Sequence, residues 1–286
     1  MAELDSAKAK LDHLAGIPNT SWGVDQSSNR VEVEVYDGVS AADRARIANA
    51  VSGYGDAVAI TERSGKIESS AYDMRGGVGI TSQYTVQGTT YYVTCSAGFN
   101  VQDDVGTGPK YMLTAGHCMG GGATTWHRRS GDIPLGSAID WAYGNDTNQS
   151  DYGLVEYTNS NVTPYGTIQY KDGSEGQISR SAAAYEGEPA KRVGTMSQDL
   201  VGTVLKTDQT TTYTEGTTLK HMIETDLCDV GGDSGGALFS GETALGITSG
   251  GNYLDQPCGD SDSQADRRTW FEPVDLVLSW QGLKVY

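Results

Sequence analysis

Ser234 lies within Cys228-Asp229-Val230-Gly231-Gly232-Asp233-Ser234-Gly235-Gly236, a setting in which a serine hydroxyl can become a nucleophile beside backbone N–H donors. A serine alcohol attacks poorly at neutral pH unless an imidazole removes its proton. An attacked carbonyl then develops a negative oxygen that needs donors around it. Gly231, Gly232, Gly235 and Gly236 have no Cβ, so the backbone can bring N–H groups against a substrate. A glycine-rich surface turn would look similar in a chain with 38 glycines, so the partners of Ser234 decide.

The general base must come from four histidines, His13, His117, His127 and His221. His117 ends the apolar, strand-like run Tyr111-Met112-Leu113-Thr114-Ala115-Gly116-His117-Cys118, so a rigid element delivers its imidazole and Cys118 can anchor the turn. His13 sits in a helix-like segment, and His127 in a polar loop beside Arg128 and Arg129. His221 alternates with apolar neighbours and should point outward from a strand. A third group must hold the imidazole tautomer and stabilise the imidazolium. Asp151, which opens the strand-like run Asp151-Tyr152-Gly153-Leu154-Val155, fits best. Asp140 and Asp146 compete for the role but read as turn residues.

The resulting chain order, His117, Asp151, Ser234, is that of chymotrypsin-like serine proteases and differs from those of subtilisin and the α/β-hydrolases. Thr114-Ala115-Gly116-His117-Cys118 and Gly232-Asp233-Ser234-Gly235-Gly236 resemble the two signature motifs of that superfamily. Cys95-Ser96-Ala97-Gly98-Phe99-Asn100-Val101, Asp151-Tyr152-Gly153, Gly246-Ile247-Thr248-Ser249-Gly250-Gly251 and Phe271-Glu272-Pro273-Val274 resemble the bacterial streptogrisin and α-lytic protease group. The resemblance runs from about residue 71 to Tyr286. It implies an all-β fold of two six-stranded antiparallel β-barrels with the site in the cleft between them, preceded by a small α/β pro-domain.

The residues themselves support an antiparallel β domain over 71–286, where short strand-like runs rich in Thr, Tyr and Val alternate with turn residues. The four cysteines can pair in three ways. The resemblance implies Cys95 with Cys118 and Cys228 with Cys258, each bracing one catalytic loop. Disulfides point to an oxidising compartment, hence a secreted, extracellular protein. No stretch approaches a membrane span, and Met1-Ala2-Glu3-Leu4-Asp5 does not read as a signal peptide.

Formal net charge is −17, and the excess lies in residues 71–286. That disfavours nucleic acid and anionic membranes as partners and favours solubility, salt tolerance or attraction of basic substrates alike; polypeptide substrates are implied by the resemblance. No metal or cofactor is expected, and the chain reads as a monomer. A calcium ion in the acidic loop 259–266 is disfavoured because the spacing of an EF-hand is missing.

Residues 1–70 differ in texture. Ala7 to Leu14 reads as a helix and Asn29 to Tyr36 alternates as a half-buried strand. Ser40 can cap a helix over Ala41 to Val51, with Gly53 as a stop, and Ala57 to Thr61 supplies another strand. Trp22-Gly23-Val24-Asp25 with Asn29-Arg30-Val31 resembles the C-terminal part of the streptogrisin-type propeptide. That implies a folding aid and inhibitor for its own protease, with a mature start near Ser70 to Asp73.

The resemblance implies further roles. Backbone N–H groups of Gly232 and Ser234 would form the oxyanion hole, and Ser249 would bond the triad aspartate. Gly250 and Gly251 would pair with the substrate backbone, and Arg192 would pair with Asp233. Asp226, two residues before Cys228, is placed at the floor of the pocket for the residue preceding the cut bond (P1). The preference there is then basic, or large and apolar if Asp226 is solvated. Glutamate is disfavoured because Thr248 supplies no histidine. The competing function is a catalytically silent homologue acting as a binding module.

Overall fold

A computed structural model of the protein describes residues 2–14, 16–67, 71–252, 254–259 and 266–286. The chain divides into two compact units, Met1–Ser70 and Ala71–Tyr286. The expected mature start falls partly on residues 68–70, outside the described residues. So do residues 260–265 of the acidic loop.

In the first unit, Val31, Val33 and Val35 alternate along the strand Arg30–Val35 and are all buried. This strand pairs antiparallel with Thr20–Asp25 and parallel with Val58–Glu62. The parallel return runs through the helix Ala41–Val51, which starts where Ser40 Oγ accepts from Asp43 N at 3.1 Å. Such a cap satisfies one of the orphan donors of the first helical turn. Ile47 and Val51 of this helix, and Leu4, Ala7 and Leu11 of the helix Ala2–Asp12, close a single apolar core over the sheet.

The second unit is built on two large, mainly antiparallel sheets, beside a three-stranded sheet in which Val162–Gln169 lies between Glu175–Gln177 and Tyr72–Gly76. In the first, the neighbours run Leu283–Val285, Phe99–Asp103, Lys110–Thr114, Asp151–Tyr157, Ile133–Tyr143, Thr125–Arg128, Gly79–Val86 and Thr89–Ser96. Its core is Ile80, Met112, Trp126, Leu135 and Val155. In the second, pairing passes from Thr243–Gly251 through Ala237–Ser240, Pro189–Gly194, Gln198–Thr212 and Thr218–Thr225 to Thr269–Pro273. From there it returns to Thr243–Gly251. This is the expected ring of six strands, filled by Val204, Ile223, Leu238, Leu245 and Phe271. The first sheet has eight strands in line rather than six, and its end strands do not pair with each other among the described residues. Phe99, Leu113, Phe239, Ile247 and Val274 join the two sheets in one further core.

Candidate active site

His117 follows the strand Lys110–Thr114, and Asp151 opens its antiparallel neighbour, with Gly153 opposite Thr114. The two side chains therefore meet by strand register. Asp151 is fully buried; its Oδ2 lies 2.8 Å from His117 Nδ1, and its Oδ1 accepts the His117 backbone N–H at 2.9 Å. This grip turns the ring so that Nε2 stays open. Burial pulls the imidazole pKa down, but the charge and hydrogen bond of Asp151 outweigh it, helped by Glu215 and Asp229, so the net shift is upward.

Ser234 comes from the second sheet, in the loop before Ala237–Ser240. Two contacts seat this loop on the first sheet, at the ends of Thr89–Ser96 and Lys110–Thr114. Ser96 N donates to Ser234 O at 2.8 Å, and a Cβ at Gly235 would sit 2.0 Å from Thr114 Oγ1. Among the described residues neither Ser234 Oγ nor His117 Nε2 has a hydrogen-bond partner, and both residues are partly exposed. Gly231, Asp233, Gly235 and Gly236 each donate their backbone N–H to a protein carbonyl. Gly232 and Ser234 do not, among the described residues. Gly232 has a left-handed φ of +101°, which suits glycine.

The loop is held from behind by Asp233, which is fully buried with Arg192, the guanidinium Nη1 lying 3.0 Å from Oδ2. The same carboxylate accepts from Met196 N at 2.8 Å, Ser197 N at 3.0 Å and Val230 N at 3.1 Å. Removing one member of a buried pair strands the other charge. Arg192→Met should therefore cost about 3 kcal/mol, the low end for such pairs because three N–H donors remain. Urea unfolding of Arg192→Met against the parent checks this; a loss under about 1 kcal/mol would show that the N–H donors alone suffice.

Ser249, on the strand Thr243–Gly251, donates to Asp151 Oδ2 at 2.5 Å. Beyond it lie residues that the sequence did not single out. Tyr213 Oη donates to Ser249 Oγ at 2.9 Å. Tyr143 packs 5.5 Å from the His117 ring and bonds Glu215. Only their place in a Tyr-rich chain could have hinted at them. Glu272, quoted above only for its motif, is fully buried, and its Oε2 accepts Asp151 N at 2.9 Å. Its Oε1 has no partner among the described residues.

Burial raises the Glu272 pKa well above the ordinary carboxyl value, with the charges of Asp151 and Asp146 adding to the shift. The folded state thus holds a proton here that the unfolded state has lost. Stability falls as pH rises from the unfolded value of about 4.3, by at most about 1.4 kcal/mol per unit. Glu272→Gln keeps an oxygen for Asp151 N and has nothing to ionise. It should be the more stable form at neutral pH, by a margin that widens between pH 5 and 7 in urea titrations; a margin independent of pH would contradict this.

The other sequence candidates lie elsewhere. His127 pairs with Asp132 at 2.8 Å and His221 with Asp208 at 2.6 Å, both half-exposed. Asp140 accepts from Tyr152 Oη and Gln281 at 2.8 Å, and Asp146 caps Ser150 ahead of Asp151. The cysteines pair as Cys95–Cys118 and Cys228–Cys258. Asp226 is corrected. Expected at the pocket floor, it is exposed and its Oδ1 accepts Thr203 N at 2.6 Å. It follows the buried Thr225 and precedes the buried Leu227, so alternation at the strand end turns it out toward the Gln198–Thr212 neighbour. Gly250 and Gly251 end the strand that carries Ser249.

No helix among the described residues is long and apolar enough to cross a membrane. The family profile described as Trypsin matches residues 82–280, and that described as Alpha-lytic protease prodomain matches residues 1–54. Streptogrisin-D of Streptomyces griseus is 35% identical over all of this chain, which spans 66% of that protein's length. Glutamyl endopeptidase 2 of the same organism is 37% identical over 67% of this chain and 93% of its own length. Among solved structures, that of a glutamic acid specific serine protease utilizing a novel histidine triad in substrate binding overlays with a TM-score of 0.60. Its identity is 34%, covering 74% of this chain and 100% of that one. With a prodomain ahead of two packed β-sheets of chymotrypsin-like fold, the chain belongs to the trypsin family and is a serine endopeptidase.

Proposed function

We propose that this is a secreted endopeptidase, made as a proenzyme, in which Ser234 is the nucleophile, His117 the general base and Asp151 the residue that orients it. The observation that carries this is the two-point grip of Asp151 on His117, through Nδ1 at 2.8 Å and the backbone N–H at 2.9 Å, which leaves Nε2 as the only ring nitrogen able to take a proton. Attack begins when the Ser234 hydroxyl turns to Nε2, a contact that tightens when substrate binds. Oγ bonds to the peptide carbonyl carbon and the proton passes to His117. The developing oxyanion falls to the two unengaged N–H groups of Gly232 and Ser234, each such donor being worth about 3 kcal/mol of barrier. His117 then protonates the leaving amine, and water reverses the steps to free Ser234. The Gly250–Gly251 edge would pair with the substrate backbone as an added strand.

The prodomain match supports residues 1–70 as a segment that assists folding, blocks the cleft and is then cut away near Ser70 to Asp73. The two disulfides support an oxidising, extracellular destination. Glutamate selectivity by a histidine triad is not supported, because His127 and His221 pair with Asp132 and Asp208 instead and Thr248 stands beside Ser249. A silent binding module is disfavoured by the retention of all three side chains.

Stopped-flow hydrolysis of a p-nitrophenyl ester tests the reading. An acyl-enzyme predicts a burst of nitrophenol equal to the enzyme concentration, followed by a slower steady state. Hydrolysis with no burst and no trapped acyl group on Ser234 would contradict it.

A further inference from the structure

The loop that carries Ser234 is held between two supports. On one side Gly235 N donates to Thr248 O at 2.7 Å, next to Ser249 and the Gly250–Gly251 edge. On the other, Ser96 N donates to Ser234 O at 2.8 Å and Ser96 Oγ to Gly232 O at 2.9 Å. A peptide held along Gly250–Gly251 up to the cut bond therefore leaves on the Ser96 side. There Gly232 is flanked by Met196 and Thr94, since a Cβ on this glycine would lie 2.7 Å from Met196 Cγ and 3.7 Å from Thr94 Cγ2. Met196 is 47% exposed, and its Sδ accepts from Arg129 Nη1 at 3.4 Å.

Arg129 follows the strand Thr125–Arg128, and its backbone N–H donates to Gly79 O at 2.8 Å. Its stem crosses the same glycine, where a Cβ would lie 3.2 Å from Arg129 Cδ. In a unit with an excess of acids, Arg129 forms no ion pair among the described residues. Asp132, three residues on, pairs with His127 instead, at 2.8 Å. Beside Arg129 lies a cavity of about 290 Å³ lined by Val78, Gly79, Ser130 and Thr195. A second, of about 230 Å³, shares those four walls and is also lined by Arg128, Lys171 and Asp199. The Asp199 carboxylate accepts the Lys171 backbone N–H at 2.8 Å. The guanidinium of Arg129 is thus led to the exit side of the cleft and held there by a thioether, a weak acceptor that a carboxylate can replace.

We propose that Arg129 receives the carboxylate of an Asp or Glu at the second residue after the cut bond (P2′), making the enzyme selective on its leaving-group side. This rests on the reading of Ser234 as nucleophile and Gly232 as oxyanion donor, because that reading fixes where the cut carbonyl lies. From a Cβ position on Gly232, Met196 Sδ is 3.6 Å away and Arg129 Nη1 a further 3.4 Å. That reach matches two residues of extended chain, roughly 7 Å. Met196 and Thr94 give the side-chain methylenes an apolar approach, and the guanidinium fork suits a carboxylate. An amide at P2′ forgoes the charge, and a lysine meets a like one. The net acidity of the unit repels acidic peptides at long range, so the selectivity belongs to Arg129 and not to the overall field.

Partitioning of the acyl-enzyme reads this side of the cleft alone, because an amine displaces Ser234 Oγ from the acyl carbonyl in competition with water. The full chain, incubated until its N-terminus stops changing, is acylated with a p-nitrophenyl ester. The ratio of transfer to hydrolysis is then measured with the dipeptide amides Ala-Glu, Ala-Gln, Ala-Lys and Glu-Ala. Ala-Glu should lead Ala-Gln about 5-fold, the upper range for an exposed ion pair. Most of that lead should vanish in about 1 M salt, where the screening length is roughly 3 Å. Arg129→Gln should equalise the two, and Arg129→Glu should favour Ala-Lys. Equal transfer to Ala-Glu and Ala-Gln, a lead that survives Arg129→Gln, or a larger lead for Glu-Ala would overturn the proposal. A chain that forms no acyl group sinks the Ser234 reading alone. The subsite is then read by fluorescence anisotropy of labelled Ala-Glu and Ala-Gln amides: tighter binding of Ala-Glu that Arg129→Gln removes supports it, and equal or absent binding overturns it.

Discussion

Replacing Ser234 by Ala should lower kcat by about 10⁶-fold and leave the fold intact. The loss is that large because the residues act as a unit: without Oγ, neither the His117 proton relay nor the acyl intermediate exists. What survives is the electrostatic and binding contribution of the oxyanion site, about 10³ to 10⁴ over water in comparable enzymes. Stability should not fall, because Ser234 Oγ has no hydrogen-bond partner among the described residues and the backbone bond from Ser96 N at 2.8 Å is untouched. His117→Ala should cost nearly as much, and the double variant scarcely more than either alone. Rates measured on a good peptide, after active-site titration, check this; additive losses would mean that the two residues act separately.

The second large effect is expected from Asp151→Asn, about 10⁴-fold in kcat. The carboxylate accepts from the His117 backbone N–H, from His117 Nδ1 and from Ser249 Oγ. An amide offers one oxygen for these three donors, and its nitrogen would face Nδ1 and favour the wrong tautomer. The pH profile carries the sign. The acid limb of kcat/KM reports protonation of His117, whose pKa Asp151 raises against the pull of burial. Without that charge burial wins, so the limb should move to lower pH as the plateau drops. An unchanged limb in a correctly folded variant would mean that Asp151 does not govern the imidazole.

Local chemistry carried much of this site into the sequence. Ser40 at the start of Ala41–Val51, and the alternation of Val31, Val33 and Val35, follow from capping and strand period alone. His117 and Asp151 stand at strand ends, where a short apolar run fixes which residue faces the cleft. Arg192 with Asp233 was legible only through the resemblance, since a Lys191-Arg192 pair on a strand reads equally well as solvated. Asp226 and Asp229 lie three residues apart, and which of them turns inward depends on side-chain alternation where the strand ends before Cys228. Composition carries no signal for that. Tyr213, Tyr143 and Glu272 reach the site by pairings between distant strands, so each reads locally as an ordinary strand residue. The eight strands of the first sheet were hidden for the same reason: Leu283–Val285 joins it across most of the unit to pair with Phe99–Asp103.

The central claim is that Ser234 is a nucleophile activated by His117. Reaction of the full chain with a biotinylated fluorophosphonate, followed by peptide mass spectrometry, tests this most directly. The account predicts one phosphonyl group per active molecule, all of it on Ser234, absent from Ser234→Ala and slowed by orders of magnitude in His117→Ala. Label on another serine, or labelling of Ser234 at the same rate without His117, would contradict it.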